Sequence, residues 1–116
     1  MLKYIAFLLL ASLPASADEV KMLKLIDFIT SNSKYEYIDQ DLPTVAIKTT
    51  EQMCNEIYIT RKPDPCFVAG YFDHENNSIF IADKAPDTMV DEGFYDTVLL
   101  HELVHFLQHV NGEYKK

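Results

Sequence analysis

The chain has 116 residues, room for one small domain, and 10 Lys and Arg against 18 Asp and Glu give it a formal net charge of −8. Its basic residues never cluster beyond pairs such as Arg61-Lys62. That excludes the positive stripe needed to hold nucleic acid or an anionic membrane surface.

The first seventeen residues read apart from the rest. Met1-Leu2-Lys3 is a short positive start, Ile5 to Ala11 an apolar run, and Ala15-Ser16-Ala17 a small-residue cleavage site. This is the order of a secretory signal peptide, and Pro14 with the A-x-A triplet argues against an ordinary buried helix. The apolar run falls short of the roughly 20 residues that a permanent membrane anchor needs. Residues 18–116 are therefore expected as an exported domain, periplasmic or secreted, with no stable membrane anchor once the signal is removed. In that compartment Cys54 and Cys66 read as one disulfide, which stabilises a small fold by about 2–4 kcal/mol.

A helix is predicted from Asp18 to about Asn32, with Val20, Leu23, Ile26 and Ile29 as an apolar stripe widened by Met22 and Leu25. Asp18 and Glu19 suit its positive start, and Ser31-Asn32-Ser33 breaks the pattern. After Pro43 a short strand covers Thr44 to Thr49. Thr50 then caps a second helix, Glu51 to Tyr58, which carries Cys54. Arg61 to Pro65, with two prolines, is a loop. Phe67 to Phe72 and Ser78 to Ala82 flank Asp73-His74-Glu75-Asn76-Asn77 and read as a hairpin. Beyond a loop containing Pro86, Asp91 or Glu92 opens a last helix that runs to about Val110 and stops at Asn111-Gly112. The fold class expected is α+β: a small antiparallel sheet with helices, the C-terminal helix packed on the sheet.

That last helix holds three of the four histidines. Advancing about 100° per residue gathers Leu99, Leu100, Leu103, Phe106, Leu107 and Val110 on one face. His101, His105 and His109 fall on the opposite face, with Glu102 at its edge. Two histidines four apart stand one above the other and can close on a single zinc ion. A glutamate after the first lies close enough to take a proton from water that zinc has acidified. This is the physical content of H-E-x-x-H, matched by His101-Glu102-Leu103-Val104-His105.

In these residues the chain resembles the zincin metallopeptidases. The order of "GYFDHENNSIFIAD", a loop and "LLHELVHFLQH" is similar to the ImmA/IrrE-like minimal domains. It is also similar to a group of uncharacterised secreted bacterial proteins sharing HELVHFLQ and two upstream cysteines. The resemblance spans roughly Cys54 to Asn111 and is sharp only over the motif helix. It implies zinc (Zn2+) as cofactor, His101 and His105 as its ligands, Glu102 as general base, and a peptide or protein substrate. It also implies that Ser78 to Ala82 is the sheet edge lining the cleft, where an extended peptide adds as a further strand.

Catalytic zinc takes three protein ligands and keeps one position open. In zincins with a glutamate as third ligand, that residue comes from a helix well downstream, whereas here eleven residues follow His105. The metzincin pattern needs glycine and histidine where Gln108 and Asn111 stand. Glu113, the one acid after the motif, is the candidate third ligand. His109 shares the face, but it lies about 12 Å along the axis from His101, too far for all three histidines to meet one ion. Asp73 or His74 from the hairpin turn, a ligand from a second chain, or a truncated chain are the alternatives. Tyr71, Tyr95 and Tyr114 are weaker candidates for stabilising an oxyanion, since tyrosines mostly pack in cores. The function expected is zinc-dependent peptide hydrolysis; the rival is a non-catalytic or truncated zincin-like domain that binds a partner.

Overall fold

The computed structural model describes residues 17–37, 40–86 and 93–113. The predicted signal peptide up to Ser16, the helix opening at Asp91 or Glu92, and Tyr114 lie outside the described residues. Among these residues six elements follow in order: α1 (Ala17–Ser31), β1 (Thr44–Lys48), α2 (Thr50–Ile57), β2 (Gly70–Asp73), β3 (Ser78–Ala82) and α3 (Phe94–Val110). Among the described residues the architecture is α+β, with three helices and one three-stranded sheet on which α3 packs. Among the described residues no helix is long and apolar enough to cross a membrane.

The sheet is mixed, which corrects the antiparallel expectation. Its order is β1-β3-β2. β2 and β3 pair antiparallel as the predicted hairpin, Gly70 opposite Ile81 and Asp73 opposite Ser78. β1 lies parallel to β3, Thr44 beside Ser78 and Lys48 beside Ala82. The chain leaves β1 at the end of the sheet where it enters β2, and the hairpin then reverses it, so β3 runs the same way as β1. β3 is thus the central strand and not the sheet edge expected of it. Its sequence suits that place: Ile79, Ile81 and Ala82 are buried, a nearly continuous apolar run.

Local chemistry explains the smaller shifts. Thr49, not Thr50, caps α2: its hydroxyl accepts the Gln52 N–H while the Gln52 side chain accepts the Thr49 N–H, a capping box. The Thr50 hydroxyl instead accepts the Val68 N–H at 2.9 Å and fastens α2 to the segment that enters β2. With that N–H engaged, β2 begins at Gly70 and not at Phe67. In α1 the buried stripe is Met22, Ile26 and Ile29, while Val20 and Leu23 are 42% and 45% exposed. Cys54 and Cys66 form the expected disulfide, tying α2 to the approach to β2. α3 ends as predicted, with Asn111 as its cap and Gly112 at φ +82°, a left-handed conformation that glycine adopts without strain.

The core lies between the sheet, α1 and α3, built on Met22, Ile26, Met53, Phe72, Ile79, Ile81, Leu99, Leu103, Phe106 and Leu107. Gly70 sets how closely β2 approaches α3. A Cβ there would stand 2.6 Å from the Phe80 carbonyl oxygen and 2.7 Å from Val98 Cγ1. Gly70→Ala is therefore expected to lower unfolding stability in urea by about 1–3 kcal/mol, the usual range for overpacking. Adding Val98→Ala should recover only part of the loss, because the backbone clash with Phe80 remains.

Candidate functional site

The packing of α3 fixes where its functional groups point. Leu99, Leu103, Phe106 and Leu107 are fully buried, which leaves His101 and His109 exposed and His105 half-buried on the other side. Glu102, placed at the boundary by its helical angle, sinks further than that angle suggests and is only 5% exposed. Burial, opposed by the neighbouring His105, pushes its carboxyl pKa up to about 7. In the metal-free protein this carboxyl is neutral at acid pH, and ionising it withdraws stability as pH rises from the ordinary carboxylate range through about 7. No side chain among the described residues hydrogen-bonds it. Beside it opens a cavity of about 300 Å³ lined by Ala69, Phe94, Thr97, Val98, His101 and Glu102. A larger hollow of about 510 Å³ lies at the disulfide loop, lined by residues such as Thr50, Lys62 and Pro65, away from the histidines.

The His101 and His105 rings have centroids 4.8 Å apart, nearly perpendicular. Two imidazoles bound tetrahedrally to one zinc at about 2.0–2.1 Å have centroids about 5 Å apart. The separation of the His101 and His105 rings is that of two imidazoles sharing one zinc. Among the described residues no group of three or more His, Cys, Asp and Glu is placed to hold a metal.

Glu113, the sequence's candidate third ligand, is engaged elsewhere. Its carboxylate takes an ion pair from Lys34 Nζ at 2.9 Å and a hydrogen bond from the Tyr35 hydroxyl at 2.8 Å. These partners, Lys34 first, hold its pKa below the usual carboxylate range. Yet it reaches the histidines indirectly. Gln108 Nε2 lies 3.3 Å from the Tyr35 oxygen, and Gln108 Oε1 lies 2.8 Å from His105 Nδ1.

The polarity of this chain follows from its far end. An ionised carboxylate only accepts, so Tyr35 donates to Glu113 and its oxygen accepts from Gln108. Gln108 then turns its carbonyl oxygen to His105, whose Nδ1 must carry the proton. Nε2 is left with the lone pair that a metal needs. No local pattern pointed to Tyr35 or Gln108 in this role, because their meeting depends on α1 and α3 being packed side by side.

Two of the tyrosine candidates, Tyr71 and Tyr95, have their hydroxyls engaged by other carboxylates. The Tyr71 hydroxyl donates to Glu56, and Tyr95 donates to Asp18, its pKa pushed up to about 12 by burial and then by that carboxylate. His74 lies against His109, at 5.1 Å between centroids. Asp73 accepts the Glu75 and Asn76 N–H groups and the Asn76 side-chain amide within its own turn.

Neither protein-family models, nor curated proteins, nor solved structures match this chain. Its chemistry has to be argued from its own residues. The hydrogen-bond chain gives one direct check: nitrogen NMR of the metal-free protein should show His105 predominantly as the Nδ1–H tautomer. Gln108→Ala should shift it towards the Nε2–H form that dominates in free imidazoles; an unchanged tautomer would remove Gln108 from this role.

Proposed function

We propose that this chain is an exported, zinc-dependent peptidase domain acting on peptide or protein segments. In this reading His101 and His105 hold the metal and Glu102 is the general base. The observation that carries it is the placing of Glu102: a carboxyl withdrawn from water, beside the imidazole pair, at the wall of a cavity. A carboxyl whose pKa is pushed up by burial beside an imidazole is the kind of perturbed group that clusters at functional sites.

When bound, zinc supplies Lewis acidity, polarising a scissile carbonyl and acidifying water. The residues of the chain supply the rest. His101 and His105 would hold the metal, with Nε2 of His105 kept available through Gln108. A Glu102 oxygen takes the proton of the attacking water and returns it to the departing amine. Phe94, Val98 and Ala69 give the cavity an apolar wall for a substrate side chain, and they exclude water from the bond being cut. Because β3 is central, an extended substrate would lie against β2, whose entry at Ala69 borders the cavity. Export accords with the disulfide, since such bonds persist in oxidising compartments.

A second reading has its own observation. Glu113 is committed to Lys34 and Tyr35, as a domain that keeps the zincin-like shape without the chemistry and binds a partner would allow. Glu102→Gln separates the two. The zinc-loaded protein, incubated with an unfolded protein substrate, should produce new peptide termini detectable by mass spectrometry. The variant should bind zinc as before yet cut at least about 100-fold more slowly, the scale of a lost general base. Equal cutting by both proteins, or none by the zinc-loaded wild type, would favour the partner-binding reading.

A further inference from the structure

A second imidazole pair meets across two elements, well away from His101. His74 stands in the turn between β2 and β3, and His109 in the last turn of α3. Their rings lie 5.1 Å apart between centroids, with planes inclined by 36°. We propose that His74 and His109 form a second binding site, for a divalent transition-metal ion, which clips the hairpin to the end of α3. Water would fill the remaining coordination positions.

Three observations carry this. The first is distance: two imidazoles sharing a tetrahedral ion have centroids about 5 Å apart, and these rings already stand so. The second is pre-organisation. The turn that bears His74 is fixed by the Asp73 carboxylate, which accepts the N–H groups of Glu75 and Asn76 at 3.1 and 3.3 Å. Asn77, at φ +50°, anchors the turn further by donating to the Asp41 carbonyl at 3.1 Å. His109 rests beside the Phe72 ring, 6.0 Å between centroids. Little ordering is then left for a metal to impose.

The third observation is chemical setting. Asp73 and Glu75 flank His74 in the chain, so a cation meets carboxylates there. Imidazole pairs suit copper, nickel and zinc, and copper(II) binds most tightly of these. His109 lies two helical turns from His101, about 12 Å away, so one ion cannot serve both places. His105 is four residues from His109 and a rival partner for it. However, its ring is paired with His101 and its Nδ1 engaged by Gln108. The inference does not depend on the peptidase reading.

The test uses the full chain carrying His101→Ala, which removes the competing pair, titrated with copper(II) by calorimetry at neutral pH. One equivalent should bind. Adding His74→Ala should weaken it at least about tenfold, the loss expected when two-point attachment becomes one-point. Adding His105→Ala should leave it unchanged. No copper binding in the His101→Ala chain would overturn the proposal. So would weakening by His105→Ala with none by His74→Ala, which would mean a pair formed along the helix. Histidine-ring NMR gives an independent readout: copper should broaden the His74 and His109 signals together, and broadening of His109 without His74 would contradict the clip.

Discussion

Everything in this molecule depends on how α3 is rotated against the sheet. Leu99, Leu103, Phe106 and Leu107 go into the core, each contributing about 1.5–3 kcal/mol through the apolar surface it removes from water. Gly70 lets the helix come close, because the space of its missing side chain is filled by Val98 and the Phe80 carbonyl. That rotation leaves no freedom for the other residues of the helix. The histidines are turned outward in a row, and Glu102, at the seam between the two faces, is drawn out of water. Burying a carboxyl opposes folding, as its raised pKa records, and the four large apolar side chains around the same axis outweigh it.

The rest of the fold steadies that seam. α1 is joined to the start of α3 by the Lys21–Asp96 ion pair and the Tyr95–Asp18 hydrogen bond. At the far end, Asn111 exchanges hydrogen bonds with the Glu36 backbone, while Glu113 takes Tyr35 and Lys34. Both ends of the histidine helix are thus tied to the segment that begins with α1. The disulfide and the Thr50–Val68 hydrogen bond brace the residues leading into Ala69, which forms part of the cavity wall beside Glu102. Glu113 takes its place among these braces, and through Tyr35 and Gln108 it fixes which nitrogen of His105 carries the proton.

How much of this the sequence disclosed follows from the range of each interaction. The two faces of α3 were legible because a helical period repeated over seventeen residues leaves little choice of orientation. The hairpin, the Asn111-Gly112 stop and the Cys54–Cys66 bond were legible for similar reasons: each rests on local chemistry or on a cysteine count. The pairing of β1 with β3 was not, since an alternating strand says which face is buried but not which strand lies beside it. In α1 the apolar residues are too many to choose among, and packing against α3 selected Met22 over Val20 and Leu23. The depth of Glu102 and the chain from Lys34 to His105 arise where distant segments meet, which no local pattern records.

The most direct measurement is zinc retained per chain through gel filtration, by elemental mass spectrometry, for the protein isolated without chelator or histidine tag, beside His105→Ala. The account requires about one zinc per chain in the wild type and its loss in the variant, as for a site that needs both imidazoles. No zinc in the wild type, even after incubation with the metal at neutral pH, would contradict it. The helix would then bear histidines for some purpose other than holding zinc at Glu102.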